Sequence, residues 1–166
     1  MILTFGDSLT RGFGVENHYS YPRQLQIKSG IEVINAGVNG EFSAEGALRL
    51  PMLLRYRPEL VILCHGANDI LNNLSTIKLK ENLLLMINLI EQSGAKVLLV
   101  GVPDFTLSHL RVHNLYTEIA QERGVLFEEK VLLEIQMRSS LKSDFVHPNA
   151  QGYEMMADAF KSVLKI

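Results

Sequence analysis

Short apolar runs of strand length recur along the chain at 1–5, 31–35, 60–64, 96–101 and 125–128. They read as continuous rather than alternating runs, the mark of strands buried on both faces. Between them lie longer segments with helical spacing. Leu79, Leu83, Met86, Ile87 and Ile90 follow the stripe of a helix packed on a sheet, started near Ser75 and stopped by Gly94. Val112, Leu115, Tyr116 and Ile119 repeat the pattern up to Gly124, and Tyr153, Met156, Ala157, Phe160 and Leu164 make a last amphipathic helix with Pro148 and Asn149 at its entry.

Buried strands alternating with helices predict an α/β fold, a three-layer α/β/α sandwich around a parallel sheet of about five strands. Right-handed crossovers admit few strand orders. A flavodoxin-like 2-1-3-4-5 order leaves a crevice where the first and third strands diverge, and ligands collect outside the carboxyl ends of such strands. No internal repeat, low-complexity tract or linker interrupts the pattern, so residues 1–166 are expected to form one domain.

Charge changes the picture by exclusion. A formal net charge of -2 without clustered Lys or Arg argues against a nucleic-acid partner and against an anionic membrane surface. No apolar run approaches the roughly 20 residues of a membrane span. The one cysteine, Cys64, lies inside an apolar run and is expected to be a buried, inert thiol. A cytoplasmic setting is the expectation for the chain as it stands, and a periplasmic or secreted one if a leader preceded residue 1.

Four polar clusters fall at the edge where ligands are expected. Met1 to Thr4 run into Gly6-Asp7-Ser8, a Gly-flanked turn that exposes a small hydroxyl where a nucleophile would stand; all three are also ordinary turn formers. Asn35-Ala36-Gly37-Val38-Asn39-Gly40 follows the second strand. Its glycines permit amides to point outward, and it equally suits a turn before a helix capped by Ser43. Gly66-Ala67-Asn68-Asp69 follows the third strand, with a side-chain amide able to donate to a developing oxyanion or simply to cap a turn. Asp144-Phe145-Val146-His147-Pro148-Asn149 precedes the last helix; His147 can act as a general base if Asp144 fixes its tautomer.

The four blocks taken in order, Gly6-Asp7-Ser8-Leu9, Gly40, Gly66-x-Asn68-Asp69 and Asp144-x-x-His147-Pro148, resemble those of the GDSL, or SGNH, hydrolases over nearly the entire chain. The chain looks most like the small bacterial arylesterase, lysophospholipase and acyl thioesterase branch. The resemblance implies Ser8 as nucleophile, His147 as base and Asp144 as its orienting acid. It also implies an oxyanion hole made by the Ser8 and Gly40 amides and the Asn68 side chain. The substrate would be a small-molecule acyl ester or thioester, with no cofactor and no metal.

Two apolar loops, one carrying Ile70, Leu71 and Leu74 and the other Phe105 and Leu107, are expected to line an open acyl groove together with Phe145 and Val146. Two other functions use the same crevice: a carbohydrate O-acetylesterase with a polar pocket, and a catalytically silent domain holding a lipid or metabolite. Of the remaining histidines, His18, His109 and His113 are expected to be solvated, and His65 to shape the end of its strand. Gly12-Phe13-Gly14 lacks the Gly-Lys-Ser/Thr ending of a phosphate-binding loop.

Overall fold

In the computed structural model, residues 1–105 and 110–166 are described. The apolar runs form strands β1 (Ile2–Gly6), β2 (Val33–Gly37), β3 (Leu60–Cys64), β4 (Lys96–Val100) and β5 (Leu126–Glu128), all parallel in the order β2-β1-β3-β4-β5. Central strands β1 and β3 are buried along their whole length, which is why their sequences show no alternation.

Around them lie helices α1 (Ser8–Arg11), α2 (Tyr21–Ser29), α3 (Ser43–Leu54), α4 (Ala67–Leu71), α5 (Thr76–Gln92), α6 (Asn114–Arg123), α7 (Val131–Gln136) and α8 (Ala150–Leu164). Helix α2 packs on α8, and α8 on α7; α3 packs on α5, and α5 on α6. These are the two outer layers of the expected sandwich. Among the described residues no helix is long and apolar enough to cross a membrane.

Three local differences from the sequence reading have physical causes. Strand β2 begins at Val33 rather than Ile31, because its register is set by β1: Ile2 donates its amide to Glu32 and pairs with Val33. Val112 lies outside its helix, in a bridge to Pro103, and α6 starts only after the His113 ring accepts the Leu115 amide. Short α2, α4 and α7 run for 9, 5 and 6 residues, too few to repeat an apolar stripe legibly.

Two glycines let the central strands end where they do. A Cβ on Gly6 would stand 1.9 Å from the Cys64 carbonyl oxygen, so β1 and β3 approach each other through the absence of a side chain. Gly66 turns the chain out of β3 at φ +104°, a conformation that other residues adopt at a cost. Both glycines sit at the carboxyl edge of the sheet. They aim the following residues, Asp7-Ser8 and Ala67-Asn68, outward from it.

Candidate active site

Beyond β1 the chain turns at once into α1. Asp7 caps this turn, its Oδ1 accepting the Leu9 amide at 3.0 Å, and Ser8 is the first helical residue. The Gly12 and Phe13 amides both donate to the Ser8 carbonyl, so two backbone bonds from the following turn hold the serine. Asp7 is buried and its Oδ2 has no hydrogen-bond partner among the described residues; burial pushes its carboxyl above the ordinary value, against the opposing pull of the Leu9 amide.

From the opposite end of the chain, the segment before α8 brings an imidazole to the serine. Ser8 Oγ and His147 Nε2 are 2.9 Å apart, and His147 Nδ1 lies 2.8 Å from Asp144 Oδ2. The acid and the base share one tight turn: Asp144 Oδ1 accepts the Val146 and His147 amides at 2.8 and 2.7 Å. Partial burial pushes the Asp144 carboxyl up, but those two amides and the His147 ring together hold it below the usual aspartate value. A carboxylate cannot donate. Nδ1 therefore carries the ring proton, leaving Nε2 to accept from the Ser8 hydroxyl.

This turn is braced from several sides. Lys142 bridges Pro148, the Ser143 amide donates to the His147 carbonyl at 2.9 Å, and the Asn149 amide donates to Leu141 at 2.8 Å. Gln136 at the end of α7 donates its side-chain amide to the Val146 carbonyl. The Phe13 ring stands 4.5 Å from the His147 ring, and the Tyr153 hydroxyl of α8 holds the Phe13 carbonyl at 2.8 Å. One face of the imidazole is thus packed.

The other two clusters end on the same edge. After β2, the Val38 amide donates to Gly6, and Gly40 stands exposed at φ +75°. After β3, the half-buried Asn68 donates Nδ2 to the Glu41 carbonyl at 3.0 Å, which ties the third cluster to the second. Asp69 supplies a second tie, accepting both the amide and the hydroxyl of Ser43, at 2.9 and 2.6 Å. Ser43 is therefore not the cap of α3 but its first residue, fastened across to α4. Glu45 instead reaches back to the Phe42 amide at 2.9 Å.

Chemically, a hydroxyl, a neutral imidazole and a carboxylate in series can remove the proton from the hydroxyl as it attacks a carbonyl carbon. The structure joins Ser8, His147 and Asp144 directly, and sets Gly40 on the loop after β2 and Asn68 in the first turn of α4.

The apolar residues divide. Ile70 is a core residue, only 5% exposed, because it lies inside α4 rather than in a loop; it cannot line a groove. Leu71 ends the same helix half-buried, and Leu74, just beyond it, is exposed. Phe105 is half-buried against the core, so only part of its ring faces outward. Val146 is half-buried and Phe145 is 77% exposed. Leu107 and His109 lie outside the described residues.

His18 is exposed beside Glu16, as expected, but His113 is not a freely solvated side chain: it is half-buried at the start of α6. The sequence reading missed a buried cluster of Glu41, Arg49 and His65. Its Glu41 carboxylate accepts from Arg49 Nε and Nη2, each at 2.7 Å, and meets His65 Nε2 at 3.0 Å. The available signal was thin: a charge directly after Gly40, and a histidine ending an otherwise apolar strand.

Comparison with known proteins gives the family of the chain. Residues 4–155 match the GDSL-like Lipase/Acylhydrolase family. An arylesterase of Vibrio mimicus is 29% identical, with 95% of this chain and 84% of the relative aligned. Esterase TesA of Pseudomonas aeruginosa is 30% identical, over 89% of this chain and 79% of its own length. The crystal structure of the psychrotrophic esterase EstA from Pseudoalteromonas sp. superposes with a TM-score of 0.86 at 26% identity, over 99% of this chain and 96% of that one. The match spans the stretch from β1 to the middle of α8 and so includes every cluster described above: the chain belongs to the GDSL-like lipase/acylhydrolase family, the SGNH hydrolases.

Proposed function

We propose that this protein is a serine esterase that hydrolyses small acyl esters or thioesters through an acyl-enzyme. The observation that carries the reading is the unbroken series Ser8 Oγ, His147 Nε2, His147 Nδ1, Asp144 Oδ2, with links of 2.9 and 2.8 Å. Ser8 Oγ attacks the carbonyl carbon while His147 Nε2 takes its proton, a positioned transfer that contributes about 10²–10⁴-fold. The carbonyl oxygen becomes an anion, met by the Ser8 and Gly40 amides and the Asn68 side chain. Asn68 spends one amide hydrogen on Glu41 and keeps the other for this purpose.

As the tetrahedral species collapses, the bond to the leaving oxygen or sulfur breaks and His147 returns the proton to that atom. Water then enters in place of the leaving group, gives its proton to His147 and attacks the acyl carbon. Collapse of the second tetrahedral species frees the acid and returns the proton to Ser8. Asp144 stays ionised throughout and stabilises the imidazolium that forms twice in each cycle.

Exposed Phe145, Leu74 and Phe13, with the half-buried Val146 and Leu71, offer apolar surface for an acyl chain on the flank of this edge. Exposed apolar surface of this kind suits broad tolerance of acyl length. The test is labelling by a fluorophosphonate together with rates on a chain-length series of p-nitrophenyl esters and on acyl-CoA, with Ser8→Ala as control. Labelling and hydrolysis that both disappear in Ser8→Ala support the reading. No labelling, with ester turnover unchanged by Ser8→Ala, rejects it, and activity confined to acetate redirects it to an O-acetylesterase.

A further inference from the structure

Glu41 occupies an unusual place. It follows Gly40, its carboxylate is buried between two sheet-edge elements, and its backbone carbonyl holds the Asn68 side chain. Arg49 of α3 grips the carboxylate with two nitrogens and gives its Nη2 also to the Ala36 carbonyl of β2 at 3.0 Å. The Arg49 guanidinium in turn lies 4.3 Å from the centre of the Phe5 ring on β1. On the far side, His65 Nδ1 accepts the Gly66 amide at 2.9 Å, so the ring proton is on Nε2 and is donated to Glu41 Oε2. The His65 carbonyl is held in its turn by the Tyr116 hydroxyl of α6 at 2.7 Å. Every donor to the Glu41 carboxylate is thus itself anchored.

Such a cluster is more than the fold needs to bury one loop residue, since a carboxylate taken out of water gains little net stability even when well paired. Its geometry has a directional output. With its side chain held on both sides, Glu41 presents its carbonyl as an acceptor to Asn68 Nδ2 at 3.0 Å. One amide hydrogen of Asn68 is thereby consumed, and the direction of the other follows from the planarity of the amide.

We propose that Glu41 is a positioning residue for hydrolysis, held by Arg49 and His65 so that its carbonyl aims the free Asn68 amide hydrogen at the oxyanion. The proposal rests on the esterase reading above and adds to it a determinant that touches neither substrate nor the reacting atoms. Burial pushes the Glu41 carboxyl up, but Arg49 and His65 outweigh it and bring its pKa to about 2, so the cluster keeps its charge through the neutral range.

The test is a double-mutant cycle. Glu41→Gln keeps the shape of the side chain and weakens the Arg49 grip; it is expected to lower kcat by about 10-fold to 10²-fold with KM changed little, since misdirected donors cost turnover rather than binding. In an Asn68→Ala background the same substitution is expected to have almost no further effect on kcat, because its route of action is gone. Arg49→Lys, which keeps the charge but loses the fork, is the second arm, and it decides the matter should Glu41→Gln fail to fold. Its loss of kcat is expected to be smaller and likewise to vanish without Asn68. Equal losses with and without Asn68, or an unchanged kcat in folded variants, overturn the proposal while leaving a fluorophosphonate-reactive wild type as an esterase. A wild type that does not react removes both.

Discussion

Asp144→Asn separates the two duties of one carboxylate. Oδ1 accepts the Val146 and His147 amides at 2.8 and 2.7 Å and lies 3.0 Å from His147 Nδ1, whereas Oδ2 makes the shorter contact with that ring nitrogen, 2.8 Å. An asparagine has one oxygen for these two tasks. Turned with its oxygen to the backbone, it keeps both amide bonds and places an NH2 group 2.8 Å from His147 Nδ1; turned the other way, it sets donor against donor at the backbone. The first orientation wins. It sets a donor at the nearer position facing Nδ1 and leaves an Nδ1 proton only the oxygen at 3.0 Å that already accepts two amides, which favours the tautomer with the ring proton on Nε2 and leaves Ser8 facing a donor where it needs an acceptor.

The expected loss is about 10³–10⁴-fold in kcat at pH 7, equivalent to about 4–5.5 kcal/mol of transition-state stabilisation. KM should move little, and so should the thermal midpoint, because the two backbone bonds survive. Initial rates on p-nitrophenyl butyrate and a melting curve on the same preparation read both quantities. A folded variant that retains more than about a tenth of wild-type kcat would show that Asp144 does not set the His147 tautomer.

Two further substitutions probe the buried side of the site. Gly46→Ala in α3 gains about 1 kcal/mol of helix propensity but sets a methyl 2.4 Å from His65 Nε2. Overpacking and the strained bond to Glu41 outweigh the gain, for a net loss of about 2 kcal/mol, or about 4–8 °C in Tm. An unchanged or higher Tm would mean that the ring has room to move. The Glu41 carboxyl lies below its ordinary value of 4.5, at about 2. The native state therefore binds its proton less readily than the unfolded chain does, and its contribution is complete above about pH 4.5 and disappears as pH falls toward 2. Glu41→Gln should flatten the acid limb of a urea-unfolding series in that window by about 2 kcal/mol, after allowance for solvent screening. A limb as steep as that of the wild type would contradict the pairing.

Much of the fold was legible because its causes are local. Continuous apolar runs marked β1, β3 and β4, and a long stripe ended by Gly94 marked α5. Ser8 and His147 could be read because each stands in a short polar block next to an element boundary, and Asp144 because only three residues separate it from His147. Glu41, Arg49 and His65 have no such signature. They sit in a loop, on a helix and at a strand end, and only the packing of α3 against the sheet edge brings them together. Ser43 misled for the same reason: its hydroxyl has the right local spacing for a cap, but a tertiary partner, Asp69, takes it. Ile70 was misplaced because a five-residue helix after Gly66 turned an expected surface residue inward.

Because three contacts fasten His147 to Asp144 within a four-residue turn, the His147 amide to Oδ1 and the ring Nδ1 to both oxygens, they behave as one rigid cartridge. Any breathing of this corner of the protein leaves the imidazole oriented relative to its carboxylate and alters just one length, the gap to Ser8. Opening to admit or release a bulky acyl group then uncouples the nucleophile without dismantling the proton acceptor, and a single closing movement restores it.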